Sequence, residues 1–105
     1  MLTVQRGSIT LTEIDNGVKA AVEALAPDVV RIRYDITEDW IGAPSIFFRI
    51  VLRDGALMNA DRRELSQRIS HRILAEVNPD DLGLQAYFNF RSASEQAQLK
   101  EPAWA

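Results

Sequence analysis

The 105 residues are 47% hydrophobic and 26% charged, the balance of one ordinary globular domain and not of a disordered or fibrous chain. A formal net charge of −3 speaks against a protein whose whole surface courts nucleic acid, and no apolar run is long enough for a signal peptide or a membrane span. Cysteine is absent, which excludes disulfides, thiolate metal sites and a cysteine nucleophile, and makes the reducing cytoplasm the expected compartment.

Residues 1–10 alternate weakly and are read as a flexible start with no assigned element. A helix is expected from about Thr12 to Ala26, because Ile14, Val18, Ala21, Val22 and Leu25 recur at helical spacing and Pro27 cannot continue it. Thr12 and Asp15 approximate a capping pair; Gly17 lowers the propensity of the interior. The segment 29–37, VVRIRYDIT, alternates as a strand, with Val30, Ile32, Tyr34 and Ile36 on one side and Arg31, Arg33, Asp35 and Thr37 on the other. Gly42 and Pro44 punctuate a short loop before a second strand from about Ser45 to Arg53, so the two strands form an antiparallel hairpin.

The stretch ADRRELSQRISHRILAEV reads as the strongest helix: Asp61 and Glu64 resemble a capping box, Leu65, Ile69, Ile73 and Val77 form its apolar stripe, and Asn78-Pro79 stops it. A third strand follows at 84–91, with Leu84, Ala86, Phe88 and Phe90 opposite Gln85, Tyr87, Asn89 and Arg91. Ser92 and Glu95 have capping-box spacing for a short helical turn, and residues 99–105 are expected to be an irregular tail. The order α-β-β-α-β predicts an α+β two-layer sandwich within a single domain spanning 1–105, with both main helices on one face of a three-stranded mixed sheet. Strand three should run parallel to strand two, with a place beside strand one open to it.

This arrangement leaves one sheet face without a covering element. Alternation assigns it Arg31, Arg33, Arg49, Arg53 and Arg91, interleaved with Phe47, Val51 and Tyr87. The plain reading of such a face is solvation, with Asp35 and nearby acids pairing with the arginines. The aromatic and aliphatic members favour a contact surface instead. Trp104, near the end of the sequence, either folds back on its own domain or helps to dock a partner, and Trp40 stands in the hairpin loop.

Chemistry-bearing patterns are sparse. His71 is the single histidine and falls on the outer side of the long helix; a metal site is not expected, and neither is a cofactor. The acids Asp35, Glu38 and Asp39, and the pair Asp80-Asp81, read as turn caps. There is no phosphate-binding glycine loop and no set of nucleophile, base and orienter, so no catalytic residue is assigned and an enzyme is not expected. The sequence reading is a small cytoplasmic interaction protein with no membrane association. Its open face (Arg31, Arg33, Phe47, Arg49, Val51, Arg53 and Tyr87, with Trp104) would take a protein partner or a second copy of itself. The alternative is a nucleic-acid-binding regulator, for RNA or single strands, using the same arginines, although no G-x-x-G loop or RNP aromatic motif is present.

Overall fold

The computed structural model describes residues 8–56 and 61–105, with the backbone alone over 8–10. The expectation of a flexible start therefore lies, over residues 1–7, outside the described residues. The element order is α1 (Ser8–Leu25), β1 (Val29–Glu38), β2 (Pro44–Leu52), α2 (Arg62–Val77), β3 (Gln85–Ser92) and α3 (Ala93–Leu99). Short 3₁₀ turns occupy Pro79–Leu82 and Pro102–Trp104. This is the expected small α+β fold with a three-stranded mixed sheet.

Helix α1 begins four residues before the expected Thr12 cap, since Ser8 to Leu11 contain no glycine or proline to stop it. Gly17, read as a weakness, has a packing reason. A Cβ built there would lie 2.6 Å from the main-chain oxygen of Glu76 on α2, so the missing side chain lets the two helices approach. Helix α2 starts where Asp61 accepts from the Arg63 and Glu64 amides. It ends at Asn78, whose left-handed φ of 53° lets its amide return to the Leu74 carbonyl.

The hairpin pairs as expected, antiparallel from Glu38↔Pro44 up to Arg31↔Val51 and Val29↔Leu52. One residue is extra at the end of that ladder, between Val29 and Arg31. This bulge resets the alternation: Val29 is buried and Val30, expected in the core, is 45% exposed. β3 runs parallel to β2 from Ser45↔Gln85 to Leu52↔Ser92. It takes the far side of β2 and not the side of β1, so β2 is the central strand. The apolar composition of β2 suits that place: Ile46, Phe48 and Ile50 are wholly buried.

The core lies between the helices and one sheet face. Ile14, Val18, Ala21 and Leu25 of α1 and Leu65, Ile69, Ile73 and Val77 of α2 pack on Ile32, Ile46, Phe48, Ile50 and Leu52. Burying each large side chain among them stabilises the fold by about 1.5–3 kcal/mol. No helix among the described residues is long and apolar enough to cross a membrane.

Candidate interaction face

Alternation sends Ser45, Phe47, Arg49 and Val51 of β2 away from the helices, and the strand register arranges their neighbours in four rows. These are Thr37–Ser45–Gln85, Asp35–Phe47–Tyr87, Arg33–Arg49–Asn89 and Arg31–Val51–Arg91. Of the residues that alternation assigned to the face, all but one fall in these rows. Arg53 is the exception. It follows the end of β2 and turns to Asp28, with Nη2 at 3.0 Å, and Arg68 of α2 holds the other oxygen of the same carboxylate at 2.8 Å. The two guanidiniums, Arg68 foremost, hold the Asp28 carboxyl below its ordinary range.

The face is not bare throughout, which corrects the expectation that no element remains to cover it. The tail expected to be irregular forms a 3₁₀ turn that lies over the fourth row. Trp104 is buried, and Val51 beside it is fully enclosed. Arg91 lies with its guanidinium carbon 4.2 Å from the centroid of the Trp104 ring. It also bonds Glu101 at 3.1 Å and the Gln96 side-chain oxygen at 3.0 Å. Arg31 Nε donates to the main-chain oxygen of Trp104 at 2.9 Å, and Arg33 Nε donates to that of Ala105. Gln96, buried on α3, donates to the Glu101 carbonyl at 2.8 Å. The expected capping box is present: Ser92 and Glu95 each bond the other's amide at the start of α3. The fold thus folds Trp104 back on its own sheet, and that residue and Val51 have almost no surface to offer.

The opposite end of the face is open. Tyr87 stacks on Phe47 with centroids 5.0 Å apart, and Trp40 tilts against Tyr87 at 5.2 Å. Trp40 is 77% exposed, and Ile41 beside it is 78% exposed. Asp39 builds this end. Its carboxylate accepts the Ile41 and Ala43 amides at 3.0 and 2.9 Å, which closes the hairpin turn, and the Tyr87 hydroxyl at 2.7 Å, which ties β3 to the turn. The Tyr87 bond first, then the two amides, hold the Asp39 carboxyl below the usual range; the same bond pushes the Tyr87 phenol up. The sequence had suggested turn capping for Asp39 but not the reach to Tyr87. Ile41 was missed altogether, since a lone apolar residue in a loop gives no periodic signal.

All five arginines that alternation assigned to the face, Arg31, Arg33, Arg49, Arg53 and Arg91, have internal partners. Arg49 meets Asp35 at 2.6 Å in the row between the two ends. His71 is exposed on α2, as expected. Among the described residues, no group of three or more metal-ligating side chains gathers. Comparison with known proteins finds no matching family model, and neither a curated protein nor a solved structure matches the chain.

Proposed function

We propose that the protein is a small non-enzymatic interaction module, acting in the cytoplasm, that receives a protein partner on the hairpin end of its open sheet face. The observation that carries this reading is the run Trp40–Tyr87–Phe47, flanked by Ile41. An aromatic ladder held in place from below by Asp39, with its outermost ring mostly in water, is a rigid, low-entropy contact surface of the kind that concentrates binding energy. Arg49 and Asp35 border it with both signs of charge, suited to the polar rim of a protein contact.

The same geometry favours a protein over a nucleic acid as partner. Phosphate recognition by the whole ladder needs unpaired cations, and Arg49, Arg53 and Arg91 already have their charge paired with a carboxylate of this chain, while Arg31 and Arg33 give only their Nε to main-chain oxygens. The cysteine-free composition supports the cytoplasmic setting.

The test is affinity capture from host lysate treated with nuclease, comparing the wild type with Trp40→Ala/Ile41→Ala. Both side chains are exposed, so the variant should keep the wild-type unfolding curve while losing the proteins held by the wild type. Capture of an unchanged set by the folded variant overturns the reading. Retention of short RNA that weakens with salt would move the proposal to the nucleic-acid alternative.

A further inference from the structure

We propose that the free edge of β1 is a self-pairing surface, joining two copies of this chain antiparallel about a two-fold axis at Tyr34 into one continuous six-stranded sheet. This goes beyond the open-face reading and does not draw on it.

Among the described residues no strand lies beyond β1, so its outer edge offers unpaired main-chain groups. Past the bulge the strand is regular from Arg31 to Glu38. Apolar side chains along this edge are only partly covered: Tyr34 and Ile36 of β1 and Val22 of α1 are half-buried against the core. A groove runs between α1 and the edge, with Asp15, Lys19 and Val22 on one wall and Ile32 and Tyr34 on the other.

Charge selects the occupant and the register. Arg31, Arg33, Asp35 and Thr37 share one side of β1. With Tyr34 on the axis, Arg33 of each copy faces Asp35 of the other, and Arg31 faces Thr37. On the helix side Ile32 faces Ile36, extending the core across the junction. Moving the axis to Arg33 sets Arg33 against its own mate, moving it to Ile32 sets Arg31 against Arg33, and moving it to Asp35 sets two carboxylates together; like charges directly opposite are unfavourable. An odd shift in register would send apolar residues to the wrong face. Of these registers, the one on Tyr34 sets Arg33 against Asp35 in both directions, and a second copy of the same strand supplies the mirror pattern by symmetry. A second layer agrees: Asp15, which accepts the Tyr34 hydroxyl of its own chain at 2.6 Å, Lys19 and Glu23 recur every four residues on the exposed side of α1, so antiparallel copies can set each Lys19 against Glu23 of the other.

Mass measurement by light scattering across a dilution series should give twice the chain mass for the wild type. Arg33→Asp and Asp35→Arg, each alone, oppose like charges across the axis and should weaken the dimer about tenfold or more. The double reversal restores opposite signs and keeps an acid beside Arg49, so it should recover the dimer. Trp40→Ala/Ile41→Ala should leave the mass unchanged. Should a single reversal fail to fold, Tyr34→Cys decides, since the chain has no cysteine of its own: its on-axis thiols should cross-link under mild oxidation, and those of Asn89→Cys on β3 should not. A wild-type monomer at every concentration overturns the proposal. So do a dimer indifferent to both single reversals, a double reversal that stays monomeric while folded, and loss of the dimer in the Trp40/Ile41 variant.

Discussion

The two ends of the open sheet face begin from the same strand alternation and finish in opposite conditions. At the Arg31–Val51–Arg91 row, the turn Pro102–Trp104 returns to the sheet and encloses Val51. At the Asp35–Phe47–Tyr87 row, aromatic rings stack upward into water and end at Trp40. Both ends hold a tryptophan and both use a polar latch, but one latch seals apolar surface and the other props it open. The direction of a side chain is thus a local property of the strand, whereas its burial is decided by what distant chain arrives above it.

Five substitutions separate the ends: Trp40→Ala is set beside Trp104→Ala as its counterpart, and the others follow in descending order of effect. Trp104→Ala should cost about 3 kcal/mol in urea unfolding, as expected for a buried aromatic, while Trp40→Ala should cost under about 1 kcal/mol because it forfeits only an exposed ring contact. Equal losses would erase the distinction. Val51→Thr keeps the shape but places a hydroxyl under the tail, and should cost about 2 kcal/mol if that site is dry; no change would mean that water reaches it. Arg91→Met should cost about 1 kcal/mol through the lost cation–π and ion-pair contacts, and should raise the rate of proteolysis after residue 99. The smallest effect belongs to Asp39→Asn at neutral pH. Because the folded Asp39 pKa lies below its unfolded value, its contribution is present above about pH 4 and is lost as the pH falls through the folded value. Trp40 fluorescence should report that acid transition in the wild type, and the variant should flatten it.

Much of the fold was legible because its signals are periodic or capping in nature. The stripe Leu65, Ile69, Ile73, Val77 and the Ser92–Glu95 pair each mapped onto what they predicted. The bulge was not legible, because Val29 and Val30 are the same residue type and nothing local says which one turns inward. The position of β3 depended on which side of β2 the crossover chose, and the apolar character of β2 becomes decisive only once both its neighbours are known. Of the site, Phe47, Tyr87 and the arginine ladder were readable from alternation alone. The covering of Val51 was not, since it depends on Arg31 and Arg91 holding a turn that lies far along the chain. Arg53 left the face because Asp28 and Arg68 offered it a partner just past the strand end.

The parallel pairing of β2 with β3 also sets a timetable. Each matched pair, such as Ser45 with Gln85, is separated by forty positions (85 − 45), whereas the hairpin partners Thr37 and Ser45 are eight apart. Closing the longer loop carries the greater entropic cost, so the hairpin can assemble early and the third strand, with everything that follows it, docks late. Changes in the β1–β2 hairpin should accordingly slow refolding, while changes in β3 should mainly hasten unfolding.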